Sequence, residues 1–455
     1  MSDELVSIPY DQIEVGQKAS LERKLTLQDL QFRSDGDGGR LDPAQVTSDL
    51  YHRIITQGMW ATGLISVAIA ARLPGPGSRL LHNDLDYHAQ LRLGDSVRID
   101  LEVLEKRSER RVLLDCRCED SDGRLIVSGR ALVEAPEHAI TEPDDLLAQS
   151  GGGLRRQLHR LLGLARGLPP LRMAVVHPVD AHSLGGALEA HRRGLIEPVL
   201  VGPEQRIRDA AARSEHALDG IEIISTEHSH AAAARAVELA RNRDVAALMK
   251  GALHTDEFMG AIVDRKGGLR TERRMSHVWV MDVPTYPRPL LITDSALNIR
   301  PDLTAKADIA RNAIDLARAM GIEQPRVAVL SATEEVNPQI QSTLDAAALC
   351  KMVDRGQIKG GLLDGPLAFD NAISEVAART KGIRSTVAGR PDILLAPDLE
   401  SANMLGKQLH YLADAEAAGI VVGARVPIVL TSRADDTLSR VAACAVALLM
   451  AQGAK

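Results

Sequence analysis

The rhythm of apolar and polar positions changes twice along the chain. Between Ser48 and Leu73 an apolar-rich run opens on a capping serine and stops at Pro74-Gly75-Pro76-Gly77, which predicts one buried helix. Ser96–Lys106, Arg110–Glu119 and Leu125–Glu134 follow. They are rich in β-branched residues, partly alternating, and joined by turns such as Asp120-Ser121-Asp122-Gly123. That pattern predicts an antiparallel meander, and a helix wrapped by a meander is an α+β layout. Residues 137–170 interrupt the pattern with a triple glycine, a short basic amphipathic helix and Pro-Pro, and read as a linker.

From Arg172 onward short apolar runs alternate with helical patterns. Predicted strands are Met173–Val176, Pro198–Val201, Ile221–Ile224, Ala246–Met249, Leu290–Thr293, Val327–Leu330, Gly360–Leu363, Ile393–Ala396, Gly419–Val422 and Val426–Leu430. Predicted helices include Ala305–Met320 and Asn371–Lys381. Such alternation implies an α/β region with a parallel-rich sheet, helices on both faces and two subdomains.

Composition narrows the function. A chain of 455 residues exceeds one ordinary core, and 45% apolar with 25% charged residues is globular. The balance of 54 basic against 61 acidic residues leaves −7 without a basic block, and aromatic residues are 2% of the chain. Both facts argue against nucleic acid or a membrane surface as partner. The N-terminus carries no basic region followed by an apolar run, and Trp60–Ala71 and Val441–Ala451 are too short to span a bilayer. A cytoplasmic protein is expected, with Cys116, Cys118, Cys350 and Cys444 as reduced thiols.

GxxxxGK[ST], GxGxxG after a strand, HExxH and GxSxG are all missing. His228 and His230 sit at the polar start of an Ala-rich helix that Thr226 can cap, so no metal is assigned to them. The loop Lys250-Gly251-Ala252-Leu253-His254-Thr255-Asp256 follows a predicted strand. It is either an ordinary polar loop or an anion cradle in which Gly251 admits the backbone and Lys250, His254 and Thr255 donate. Arg270, Arg273 and Arg274, with Lys266, cluster around Ser276, which suits a phosphate-bearing small molecule or a solvated loop. Asp294, Asn298 and Arg300, then Ser331, Thr333 and Glu334, then Asp364-Gly365-Pro366, follow predicted strands, as the walls of a cleft along strand tips would. Ser432 and Arg433 stand where a strand meets a helix, and helix-end N–H groups plus a guanidinium favour an anion there. Asp435 and Asp436 fit either a capping role or that of a base.

From about Arg172 to Gln452 the chain resembles the phosphate acetyltransferase/phosphate butyryltransferase family. The resemblance rests on KGALHTDEF, RRMSHVWVMDVPTY, LLITDSALNIRPDL, PRVAVLSATEEVNP, GGLLDGPLAFDNAIS and LADAEAAGIVVGARVPIVLTSRADD, in matching order. It implies two α/β subdomains (171–303 with 425–455, and 304–424) around a cleft, and a homodimer. It further implies acyl transfer between CoA and inorganic phosphate, as substrates, with no tightly bound cofactor and no metal. In that mechanism a carboxylate deprotonates the CoA thiol, which attacks the acyl phosphate, while Ser432 hydrogen-bonds the reacting group and Arg433 holds phosphate. Ser439 stands where the acetyltransferase branch has an aspartate, and Tyr411 where it has an arginine. Both that Tyr411 and the SRADD stretch look more like the butyryltransferase branch.

Residues 1–136 resemble MaoC-like hot-dog hydratases through YHRIITQGMWATGLISVAIAARLPGPGS and YHAQLRLGDSVRIDLEVLEK. In the segment matching the family's catalytic motif, Asp35 falls on its aspartate, Asp37 on its asparagine and Arg40 on its histidine. Arginine stays protonated near neutral pH and cannot act as the hydration base, so a degenerate hydratase is expected. Two alternatives stand beside the acyltransferase reading: a bifunctional enzyme with a working hydratase, and a non-catalytic CoA-binding scaffold. Hot-dog domains pair, which makes an assembly larger than a dimer compatible with the sequence.

Overall fold

The computed structural model describes residues 4–24, 60–91, 95–143, 156–214, 216–431 and 437–453. The expected residues Asp35, Asp37, Arg40, Ser432, Arg433, Asp435 and Asp436 lie outside them. The chain divides into Met1–Leu154 and Arg155–Lys455.

In the first unit β1 (Glu4–Val6) pairs with β7 (Thr141–Pro143). Strands β2 (Lys18–Lys24), β3 (Arg79–Tyr87), β4 (Ser96–Arg107), β5 (Arg111–Asp120) and β6 (Leu125–Glu134) form an antiparallel sheet ordered β2-β4-β5-β6-β3. Helix α1 (Trp60–Ala71) buries Ala61, Leu64, Ile65, Ala68 and Ile69 in one core with Ile99, Leu101, Leu114 and Ile126. The alternating residues of β4 and β5 supply this core because one face of the sheet covers the helix. Cys116 and Cys118 lie on that face, and burial pushes both thiols up to about 12, which keeps them unreactive. Among the described residues this is one α-helix against an antiparallel sheet, the α+β layout expected from the sequence.

The second unit opens on α2 (Arg156–Ala165), β8 (Leu171–Val176), α3 (Ala181–Arg192), β9 (Ile196–Gly202), α4 (Glu204–Arg213) and β10 (Glu222–Ser225). Next come α5 (Ser229–Asn242), β11 (Ala247–Lys250), α6 (Thr255–Val263), β12 (Ser276–Asp282), β13 (Leu290–Thr293) and α7 (Leu303–Ala319). The rest is β14 (Arg326–Leu330), α8 (Gln341–Asp354), β15 (Leu362–Leu367), α9 (Phe369–Ile373), α10 (Glu375–Thr380) and β16 (Ile393–Leu395). It closes with α11 (Leu399–Leu412), β17 (Glu416–Val422), β18 (Ile428–Val429) and α12 (Thr437–Gly453).

Eleven strands join one sheet ordered β10-β9-β8-β11-β18-β17-β12-β13-β16-β14-β15. Helix α12 is apolar almost all round, from Val441 to Leu449, because α2, α3 and α7 and strand β17 cover it. Helix α2, within the segment expected as a linker, buries Leu158, Leu161 and Ala165 in the same core. Its first N–H groups, on Gln157 and Leu158, donate to the Asp282 carboxylate at 2.6 and 3.1 Å.

Several expected elements shift. The helix expected over Asn371–Lys381 is two short ones, because Ser374 leaves helical geometry and caps the second by accepting from Ala377 N. Asp364-Gly365-Pro366 lies inside β15 rather than after a strand; β15 is at the sheet edge, where a residue without an N–H is tolerated. Helix α5 is capped by His228, whose Nδ1 accepts from Ala231 N at 3.1 Å, and not by Thr226.

Candidate functional site

Sheet polarity decides which expected residues come together. Strands β8, β9, β10, β11 and β18 are mutually parallel, so Val176, Gly202, Ser225, Lys250 and Val429 end on one side. Strand β17 runs antiparallel to both β18 and β12, and β12 runs antiparallel to β13. Strands β13, β14, β15 and β16 therefore end on the opposite side. The expected residues fall into two groups: Lys250, Gly251, His254 and Thr255 with the exit of β18, and Ser276, Asp294, Asn298, Ser331 and Thr333 with Arg273.

At the first rim Lys250 is buried and Gly251 approaches β8 so closely that a Cβ there would collide with the Val176 carbonyl. His254 and Thr255 open α6 with exposed side chains. Thr431, the described residue before Ser432, is buried and accepts from Arg440 Nη1 at 3.0 Å. Arg440 is buried in the first turn of α12, with its stem packed over Gly186, where a Cβ would come within 2.7 Å. Ser439 is 2% exposed and donates to Glu416 Oε2 at 3.2 Å. An aspartate at 439 would face that carboxylate in the core, so serine is the residue this surrounding favours.

At the second rim the polar residues are engaged with one another. The Asp294 carboxylate accepts from the backbone of His277, Ala296, Leu297 and Asn298 at 3.0–3.1 Å, and from Asn298 Nδ2 at 2.5 Å. Asn298 also donates to Met275 O and accepts from Arg274. Ser276 accepts from Asn312, while Arg273 pairs with Asp315 of α7 at 2.5 Å. The Ser331 hydroxyl bonds Ser342 of α8 at 2.8 Å, Thr333 accepts from Glu335 N, and Asp364 accepts from Gly365 N. Tyr411, near the end of α11, is 68% exposed against His410.

Pattern reading missed the buried side chains between the rims. His277 packs edge-on to Trp279 and bonds the Leu430 carbonyl one residue before Thr431. Burial drives its pKa from the ordinary 6.5 down to about 4, against the opposing pull of Asp294 and that carbonyl bond. The folded protein therefore binds fewer protons than the unfolded chain between these values, and stability rises with pH there. The stabilisation is full above about 6.5 and is lost as pH falls towards 4. Urea midpoints measured across that interval are expected to fall on acidification, with a smaller slope in His277→Gln; an unchanged slope would refute the assignment.

Among the described residues no cluster of His, Cys, Asp or Glu is arranged to hold a metal ion, and no helix is long and apolar enough to cross a membrane. The second unit is a mixed sheet flanked by helices, with polar residues at its strand ends.

A family model described as phosphate acetyl/butaryl transferase matches residues 229–448. The phosphate acetyltransferase of Rhizobium meliloti is 58% identical over 292 residues, 64% of this chain and 92% of that protein. The phosphate butyryltransferase of Clostridium beijerinckii is 40% identical over 298 residues, 66% of this chain and 99% of that protein. A branched-chain phosphotransacylase structure from Enterococcus faecalis V583 superposes with a TM-score of 0.54 at 25% identity, covering 62% of this chain and 99% of that one. The chain belongs to the phosphate acetyl/butyryl transferase family.

Proposed function

We propose that this protein moves an acetyl or short acyl group between CoA and inorganic phosphate, forming acyl phosphate and free CoA in one direction. The observation that carries this reading is the 58% identity spanning 92% of the R. meliloti phosphate acetyltransferase. In the proposed mechanism acyl-CoA and phosphate are bound together, without a covalent serine ester or a tightly bound cofactor. Arg433 holds the phosphate, Ser432 hydrogen-bonds the reacting carbonyl, and Asp435 or Asp436 takes the thiol proton in the reverse direction. Lys250 and the Gly251 backbone lie on the rim from which that segment departs and add a cation and a close approach to the substrate. Ser439, buried against Glu416, carries no base, which leaves that role to Asp435 or Asp436.

Asp35, Asp37 and Arg40 mark the first unit as a degenerate hydratase that serves assembly or acyl-CoA binding. The protein acts in the cytoplasm as a homo-oligomer, a dimer or larger. The test is phosphate-dependent release of free CoA, measured on the full chain with acyl-CoA substrates of increasing length. Release that requires phosphate and depends on chain length is the expected result; CoA release indifferent to phosphate would overturn it.

A further inference from the structure

Helix α12 begins with a placement that stability alone does not favour. Arg440 sits in its first turn, where the helix dipole opposes a cation, and at 4% exposure its charge is withdrawn from water. A gap in another helix makes room for it. Gly186 lies within α3, where glycine is a poorer helix former than alanine. A Cβ there would come within 2.7 Å of Arg440 Cδ and 3.0 Å of its Cβ. The fold therefore carries both a weaker α3 and a buried cation at this one contact.

What the guanidinium reaches is the exit of β18. Its Nη1 donates to Thr431 Oγ1 at 3.0 Å, just beyond the end of the strand at Val429. The preceding residue of α12, Ser439, donates to Glu416 Oε2 at 3.2 Å, and Glu416 opens β17. Strands β17 and β18 are antiparallel neighbours, so the start of one and the exit of the other share a rim. One turn of α12 is thus bonded to both strand ends. The pairing of the two strands runs on to Leu430, whose N–H donates to Gly419 O at 3.0 Å. Thr431 and Thr437 bound residues 432–436 in the sequence, and the Arg440–Thr431 bond joins one flank to the other.

We infer that Arg440 is a positioning residue for acyl transfer: through Thr431 it fixes where the chain leaves β18 for Ser432 and Arg433. This rests on the acyltransferase reading above. The guanidinium is covered by protein, so it acts on Thr431 and not on phosphate. Groups that stabilise a transition state work by being held in place beforehand, and a displacement of about 1 Å caused away from the chemistry can lower the rate about a hundredfold. Loss of the bond should therefore lower kcat and leave the binding of both substrates in place.

The test is a double-mutant cycle on the full chain, read as phosphate-dependent CoA release at a temperature where circular dichroism shows every variant folded. Thr431→Val removes the acceptor and keeps the shape, and Arg440→Met removes the donor. Each is expected to lower kcat about ten- to a hundredfold, with KM for acetyl-CoA and for phosphate within about threefold of wild type. The double variant should be no slower than the slower single one, because both remove the same bond. Thr431→Ser, which keeps the hydroxyl, should run near the wild-type rate. Gly186→Ala, which displaces the arginine stem and touches no polar group, should lower kcat in the same way. Wild-type kcat in Thr431→Val, losses that multiply in the double variant, or a raised KM for phosphate at unchanged kcat in Arg440→Met would each overturn the positioning role. Should Arg440→Met fail to fold, the two Thr431 variants and Gly186→Ala decide it. A wild-type chain that releases no CoA when phosphate is added would instead overturn the acyltransferase reading itself.

Discussion

Replacing Arg433 with glutamine is expected to slow phosphate-dependent CoA release by about a hundred- to a thousandfold. The proposed role requires a fixed cation where negative charge gathers on phosphate and on the carbonyl oxygen. Such a group acts mainly in the transition state when it is held in place beforehand. The described residues on either side of the segment are themselves anchored. Leu430 is tied to His277, Thr431 is buried and held by Arg440, and α12 is sealed in the core from Val441 onward. Steady-state rates with saturating acetyl-CoA and varied phosphate, on protein with unchanged circular dichroism, give the answer. A variant within threefold of wild type at saturating phosphate would show that Arg433 is not that cation.

Asp294→Ala should be the most damaging single change to stability in the second unit, by about 3–5 kcal/mol. The aspartate satisfies four backbone N–H groups and the Asn298 amide at the end of β13. Removing it leaves donors stranded in a buried turn, and it releases Asn298 from its place under Arg274. Urea unfolding followed through Trp279, in a Trp60→Phe background, measures the loss. Asp294→Asn should fall between the two, because one amide oxygen still accepts. A loss below about 1 kcal/mol, the size of one ordinary hydrogen bond, would mean that the network is dispensable.

Apolar runs made most of the second unit legible. Leu290–Thr293 was expected and is found without change, and Ala246–Met249 and Val327–Leu330 differ by one residue at an end or register. Strand β12 was not expected, because Ser276-His277 at its start and Arg273-Arg274 before it read as a polar loop. The Ser276 hydroxyl and the His277 backbone N–H are buried and engaged by Asn312 and Asp294, partners distant in sequence that no local pattern reveals. The same omission hid the reversal of sheet polarity, and so the separation of the strand-end residues into two rims. Helix α2 is the short basic helix expected within the linker; its packing into the core is what the local pattern hides, because its cap is Asp282, more than a hundred residues away. The segment proposed as the reaction centre stands out in the sequence by its family motif and lies outside the described residues, whereas His177 and Arg440 carry no local signal. Their burial follows from missing side chains at Gly202, Gly251 and Gly186.

Strand β18 has only two residues, yet it is the sole strand lying between β11 and β17. Everything on one flank of it is encoded before Gly251, and everything on the other lies between Ser276 and Val422. During synthesis neither flank can be zipped to the other until Ile428 and Val429 have emerged, long after β11. The two flanks must therefore wait as separate sheets with open inner edges, each a template for unwanted pairing. The unit is built like a garment whose central seam is sewn last, which makes late-stage chaperone demand, rather than initial collapse, the step at which its production is most easily lost.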